Sequence, residues 1–340
     1  MTVSTFMRQE IIDIPAAVKT LTCHEQLEEV ASALRLAEPR FISTVARGSS
    51  DHAATYLKYV SELVLGLPVA SLGPSVASVF GAKLKLADSL CIAISQSGQS
   101  PDIRAMARTA QEGGAKTVAI TNEPSSPLAV QSDHVINICA GVEKSVAATK
   151  TFVTSAVAGL ALVAHWKQDK ALLGALATLP EKLEAAIAHD WPSLRQALHG
   201  RDSLLVLGRG PGFAMANEAA LKFKETCQIH AESYSSAEVL HGPVSIIEPG
   251  FPVLALASRD AAEPAVLEVA KAMADIGADV FVTSDHVNPA QRLGFAATGH
   301  PLTDPLALIV SFYSFIERLA RERGINPDTP RNLKKVTETI

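Results

Sequence analysis

The sequence predicts an α/β protein of two tandem lobes, each a parallel sheet with helices on both faces in a three-layer αβα sandwich. Three observations predict it. Short β-branched runs alternate with longer amphipathic stretches, the pattern of βαβ units. The apolar run, glycine turn and helical pattern of FISTVARGSSDHAATYLKYVSELV return in SLLVLGRGPGFAMANEAALKFKE. The strand–loop–helix–strand pattern of CIAISQSGQSPDIRAMARTAQEGGAKTVAITN returns in VLALASRDAAEPAVLEVAKAMADIGADVFVTSD, and both repeats are offset by about 162 residues. Local propensity does not hold two motifs in phase, so the chain reads as an internal duplication.

Residues 1–29 form an expected N-terminal helical arm, and the opening MTVSTFMRQEIIDIP lacks the apolar run of a signal peptide. Residues 30–166 make the first lobe, with turns at Arg47-Gly48 and SQSGQS and a helix ending at Gly114. TFVTSAVAGLALVA, from Thr151 to Ala164, is the most apolar window. At about 14 residues against the roughly 20 a bilayer needs, it reads as a buried core helix. Residues 167–197 read as a helical connector, with Pro180 opening a helix and Leu183, Ile187 and Leu194 forming its apolar stripe. Residues 198–320 make the second lobe, with Gly210 and Gly277 at the repeated turns. Residues 321–340 form a tail that has the composition of a loose end but carries Arg331, Lys334 and Lys335.

The 340 residues are 48% hydrophobic, enough to bury two sizeable cores. The formal net charge of -5, the pI near 6.1 and the lack of a basic block argue against a nucleic-acid partner. Cys23, Cys91, Cys139 and Cys227 include no close pair. They read as small buried hydrophobes of a reducing compartment, not as a disulfide frame or zinc site. A cytoplasmic protein away from membranes is expected, with no metal. No cofactor is expected either, because GRGPG is followed by Phe213 and not by dinucleotide-fingerprint spacing.

The halves differ in chemistry. Ser95, Gln96, Ser97, Gly98, Gln99 and Ser100 follow the apolar run LCIAI and precede a helix near Asp102. A strand-to-helix loop of this kind gathers free N–H groups and the positive helix end, and the added neutral donors suit a phosphate dianion. A plain capped turn uses the same residue types. The equivalent loop, Ala257-Ser258-Arg259-Asp260, has few neutral donors and an acid, so one anion site is expected, in the first lobe. In NEAALKFKE, Glu218, Lys222 and Glu225 share one helix face. That spacing fits a solvated face and a ligand-facing cluster equally well. His241, before Gly-Pro, is either a turn residue or an acid–base group active near neutral pH.

SQSGQS at 95–100, VAATKTF at 146–152, NEAALKFKE at 217–225, HAESYSSAEVLHGP at 230–243 and PRNLKK at 330–335 occur in one order, and in it the chain resembles the double sugar-isomerase (SIS) family. The pattern is similar to the isomerase half of glutamine–fructose-6-phosphate aminotransferase and to stand-alone, isomerase-like glucosamine-6-phosphate deaminases. The resemblance implies that Ser95, Gln96, Ser97 and Ser100 hold the sugar phosphate and that Ser49 approaches the sugar. It implies that Glu225 moves the proton between C1 and C2, with Glu218 and Lys222 around the sugar hydroxyls. His241 would open the ring, reaching the site from the other subunit of a homodimer, and Lys335 would match the tail lysine that closes over the sugar and, in the synthase, forms a Schiff base with fructose 6-phosphate. Ser100 stands where the synthase has threonine, and Ala148 where it has serine; Lys144 and Ser145 also depart from its pattern.

The chemistry agrees with these roles: ring opening needs a proton shuttle, C1–C2 transfer needs one base, and Lys222 could offset the charge that develops on oxygen. Thr2 follows Met1 and about 30 residues precede the first lobe, so a glutaminase domain with a nucleophilic cysteine is not expected. FMRQEIIDIP also resembles the start of the stand-alone deaminases. The expected activity is conversion of glucosamine 6-phosphate and water to fructose 6-phosphate and ammonia. The alternatives are an isomerase, deaminase or deglycase for another sugar phosphate, such as galactosamine 6-phosphate or a fructosamine-type phosphate, and a sugar-phosphate-binding regulator without turnover.

Overall fold

The computed structural model describes residues 4–286 and 289–335; the first three residues of the expected arm and residues 336–340 of the expected tail lie outside the described residues. The described residues divide into two compact units: those within 13–143, 150–177 and 333–335 form the first lobe, and those within 4–12, 144–149, 178–286 and 289–332 the second. Helix α1 (Phe6–Thr22) and helix α8 (Lys170–Ile187) each run across a division point.

The first lobe contains α2 (Gln26–Ala37), β1 (Phe41–Val45), α3 (Ser49–Val64), β2 (Val69–Ser71), α4 (Ser75–Ser78), β3 (Ser89–Ile94), α5 (Pro101–Glu112), β4 (Lys116–Thr121), α6 (Pro127–Gln131), β5 (His134–Asn137) and α7 (Lys150–Lys167). All strand pairs are parallel, in the order β2-β1-β3-β4-β5. Every residue of β3 is buried, as expected of a central parallel strand covered on both faces. Helix α7 is buried along its length from Lys150 to Ala164 and packs on α2 and α3, so the most apolar window is a core helix. Gly159 makes this possible on the α3 side, because a Cβ there would sit 3.2 Å from Leu57 Cδ1.

The second lobe contains α9 (Pro192–Ala197), β6 (Ser203–Gly208), α10 (Pro211–Cys227), β7 (His230–Ser235), two 3-10 turns (Glu238–His241 and Pro243–Ile246), β8 (Pro252–Ala255), α11 (Glu263–Asp275), β9 (Asp279–Val282), β10 (Gln291–Arg292) and α12 (Asp304–Glu322). Its sheet is also parallel, in the order β10-β9-β8-β6-β7. Counted from each lobe's first strand, both sheets run 2-1-3-4-5, the shared topology that the duplicated sequence pattern predicts. Trp191 anchors this core, with Phe312 and Phe315 at 6.4 and 5.4 Å between ring centroids and its indole N–H donating to Gly294 O at 2.8 Å.

Three details differ from the sequence reading. Pro180 lies inside α8 and does not open a helix, because buried Leu172, Leu176, Leu179 and Leu183 continue one apolar stripe through it. Asp328, in the expected tail, is not loose: it caps α1, its two carboxylate oxygens accepting from the N–H groups of Phe6 and Met7 at 2.8 Å each. Cys91 and Cys227 are buried, but Cys23 is exposed and Cys139 half-buried. Among the described residues no helix is long and apolar enough to cross a membrane.

The turn from β6 into α10 depends on Gly208, where a Cβ would lie 2.6 Å from Gly212 O and 2.8 Å from Phe213 Cα, both backbone. Gly208→Ala is expected to lower stability by about 1–3 kcal/mol through overpacking that no rotamer relieves. Urea unfolding measures it.

Candidate functional site

The first lobe has its donor-rich loop at the crossover of strand order. Both the turn after β1 and the loop after β3 emerge at C-terminal strand ends, on either side of the point where order reverses, which is where open α/β sheets hold ligands. Ser95 N donates to Ile120 O at 3.1 Å, and Gln96 O accepts from Asn122 N at 3.0 Å, so β4 fixes the loop's start. Ser95 Oγ accepts from Gly98 N at 3.2 Å and Ser97 Oγ from Gln99 N at 3.3 Å. Each hydroxyl, accepting here, still carries a proton it can donate. Gly98, at φ 60°, is required twice over: for its left-handed backbone, and because a Cβ there would collide with Ser126 Oγ. Ser100 occupies the N-cap of α5 but its side chain makes no capping bond. Among the described residues no acceptor is found for the N–H groups of Gln96, Ser97 and Ser100. Half-buried Ser49 opens α3 across the crossover, after Gly48 at φ 54°.

One acid lies in the first turn of α5. Asp102 is wholly buried, and Arg47, from the turn after β1, binds it at 2.8 and 2.9 Å. This ion pair ties the two loops together and offsets a charge that would oppose an anion. The equivalent loop of the second lobe is built otherwise. Asp260 Oδ1 accepts from Ala262 N at 2.8 Å, and Arg259 stacks on Phe295 at 4.0 Å from the ring centroid. The one-sided distribution of neutral donors read from the sequence is present.

In the second lobe, α10 carries three charges in one cluster. Lys222 Nζ lies 3.0 Å from Glu218 Oε1 and 2.6 Å from Glu225 Oε2. Tyr313, from α12, donates its hydroxyl to Glu218 Oε1 at 3.0 Å. The side chains of Glu218 and Lys222 have no exposure and that of Glu225 has 19%, which excludes a solvated face. Burial alone would lower the Lys222 pKa, but Glu218 and Glu225 outweigh it and hold the ammonium well above its ordinary value. The chemical result is one permanently charged lysine and one carboxylate, Glu225, open to solvent. The sequence reading gave Lys222 a direct part in offsetting charge on the sugar; its side chain has no exposed surface, and its ammonium contacts Glu218 and Glu225.

The remaining expected residues lie on other segments. His241 ends the first 3-10 turn and is exposed. Ala148 is half-buried in the 144–149 segment of the second lobe. Lys335 is held in the first lobe, its Nζ 2.8 Å from Glu143 Oε2. Sequence reasoning missed Glu143, Arg47, Asp102 and Tyr313. Only Arg47 and Asp102 gave any local signal, standing at a glycine turn and a helix start. Burial by itself would raise the Glu143 pKa, but Lys335 and Thr151 hold it below the ordinary carboxylate range.

The SIS domain family model matches residues 35–165 and 197–314. The isomerizing glutamine–fructose-6-phosphate aminotransferase of Symbiobacterium thermophilum is 33% identical over 362 residues, covering 97% of this chain and 58% of that protein. The chain thus spans about half the length of the curated relatives it matches. A crystal structure from Silicibacter pomeroyi DSS-3, of a protein put forward as a phosphosugar isomerase, shares 60% identity with a TM-score of 0.93, covering 96% of this chain and 100% of that one. The C-terminal domain of glucosamine-fructose-6-phosphate aminotransferase from Francisella tularensis shares 25% identity with a TM-score of 0.85, covering 97% of this chain and 99% of that one.

Two stability predictions follow from the charges. Lys222→Ala leaves Glu218 buried without its cation and is expected to cost about 3–5 kcal/mol, whereas Glu225→Gln keeps a hydrogen-bonding group at a part-exposed position and should cost about 1 kcal/mol. Urea titrations of both variants compare them. Glu143 has a depressed folded-state pKa, so its contribution is complete above the ordinary carboxylate value and lost as pH falls through the folded one. Melting temperature in acid should therefore fall more steeply for the wild type than for Glu143→Gln.

Proposed function

The chain belongs to the SIS domain family, and from that premise we propose that it is an amino-sugar-phosphate deaminase of the isomerase type, converting glucosamine 6-phosphate and water to fructose 6-phosphate and ammonia. The observation that carries the reading is the α10 cluster, where a buried ammonium between two carboxylates holds Glu225 in place with part of its side chain exposed. A group of that kind is what C1–C2 proton transfer needs. The loop at residues 95–100 supports a phosphorylated substrate, because it gathers unused N–H groups and hydroxyls at the start of α5 without a nearby uncompensated acid.

The roles divide as follows. The 95–100 loop binds the phosphate, and Ser49 approaches the sugar. His241, contributed by the partner subunit of a homodimer, passes a proton between the ring oxygen and the C1 hydroxyl to open the ring. Glu225 takes the C2 proton and returns it at C1 while a proton passes from the amino group to O1, converting the open-chain aldehyde with its 2-amino group into the 2-imine of fructose 6-phosphate. Water adds to the imine carbon and ammonia leaves. Lys222 fixes Glu225 in place, Glu218 holds Lys222, and Lys335 shields the sugar. Ammonia as product rests on the relatives' handling of amino-sugar phosphates. A second reading, an isomerase or deglycase for another phosphosugar, is favoured by Ala148, Lys144 and Ser145 where the synthase pattern differs. A regulator without turnover would have no use for the buried α10 cluster.

Coupled ammonia release across glucosamine 6-phosphate, galactosamine 6-phosphate and fructosamine-type phosphates tests the reading. The highest kcat/KM is expected for glucosamine 6-phosphate. No ammonia from any of them, together with aldose–ketose interconversion of a phosphosugar, would transfer the assignment to the second reading. The shared-site arrangement has its own test. Inactive Glu225→Gln and His241→Asn chains, mixed under conditions of proven subunit exchange, should recover up to one working site per hybrid dimer. An absence of recovery would place His241 in its own chain's site or outside it.

A further inference from the structure

We infer that Glu143 is a positioning residue: a prebuilt receptor that docks the tail lysine, Lys335, and ties its placement to the phosphate loop. This rests on the reading above, in which Lys335 serves the substrate. The receptor does not need the tail for its own geometry. Glu143 Oε1 accepts from Thr151 N at 3.1 Å and Oε2 from Thr151 Oγ1 at 2.7 Å, at the first turn of α7. A helix N-terminus favours a carboxylate and helps keep it ionised. Lys335 then adds a bond to Oε2 at 2.8 Å, with 27% of its own side chain exposed. A buried carboxylate with no partner but the lysine would be left orphaned whenever the lysine moved. Here Thr151 retains it, so the tail can dock and release without stranding a charge.

The same segment is bonded to the loop at residues 95–100. Asn122 N donates to Gln96 O at 3.0 Å. The Asn122 side chain then accepts from Ala140 N at 2.9 Å and donates to Gly141 O at 2.8 Å, two residues before Glu143. Lys150 Nζ donates to Val142 O at 3.0 Å and fixes the next residue. An unbroken series of bonds therefore runs from the phosphate loop through Asn122 and the 140–143 segment to Glu143 and Lys335, all inside the first lobe. An acid kept only for stability would not need this arrangement, since an apolar side chain of similar size would fill the position at lower cost.

The test is a double-mutant cycle on the full chain, with Glu143→Gln, Lys335→Ala and the double variant assayed for kcat and KM on whichever phosphosugar the wild type turns over. Melting temperature confirms folding. Each single variant is expected to lose about tenfold in kcat/KM from misplacement of the lysine. The double variant should lose no more than the worse single, because the two residues act as one unit. Glu143→Asp should restore part of the loss. If Lys335→Ala loses activity while Glu143→Gln does not, the receptor role is wrong and the tail's role stands. If Lys335→Ala is fully active, the reading of the tail falls and the inference with it. Losses that multiply in the double variant would also overturn the inference, by making Glu143 act independently. Should Glu143→Gln fail to fold, Thr151→Val, which removes one of the orienting bonds, takes its place in the cycle with the same expected outcomes.

Discussion

The buried ammonium of Lys222, clamped between Glu218 and Glu225, is the interaction on which the second lobe's chemistry depends. Bringing a lysine out of water costs several kcal/mol, and only close carboxylates with further hydrogen bonds return that energy. The cluster therefore constrains its surroundings. Glu218 needs a second partner and takes it from Tyr313 on α12, which packs against α10. The helix must hold its register from Pro211 to Cys227, and the tight turn at Gly208 sets where it begins. Replacing the cluster with apolar side chains would cost less, so its retention points to use and not to stability.

The two lobes share one strand order yet differ in how they handle charge. The first offers neutral donors and compensates its nearby acid, Asp102, with Arg47. The second concentrates charged groups on α10, and its loop at 257–260 turns Asp260 to the N–H of Ala262, just ahead of α11, and Arg259 to an aromatic face. Neutral donors suit a dianion that must be bound and released, while a fixed ion cluster suits a base that must stay ionised. Duplication supplied two equivalent strand ends, and substitution at a few positions made them chemically distinct.

Both lobes and the helix-rich layers were legible from the sequence because periodicity of apolar residues reports burial directly, as in β3 and α7. The donor loop was legible because its residues act locally. What stayed hidden depended on distant partners. The 4 and 3 spacing of Glu218, Lys222 and Glu225 is the same on a wet face as in a core, and Tyr313, which helps settle the matter, lies 95 residues from Glu218. Glu143 read as one acid among many because its lysine is 192 residues away. Pro180 was misread since local propensity favours a helix start, whereas the buried leucines on either side carried the helix through.

The central claim is that holding the substrate and moving its proton fall to different residues, with Glu225 responsible for the second. Isothermal titration of fructose 6-phosphate into the Glu225→Gln chain, paired with turnover of the same preparation, tests it most directly. The account predicts affinity within about threefold of the wild type and turnover lower by about 10²–10⁴-fold. Affinity and turnover falling together, or turnover surviving the substitution, would contradict it.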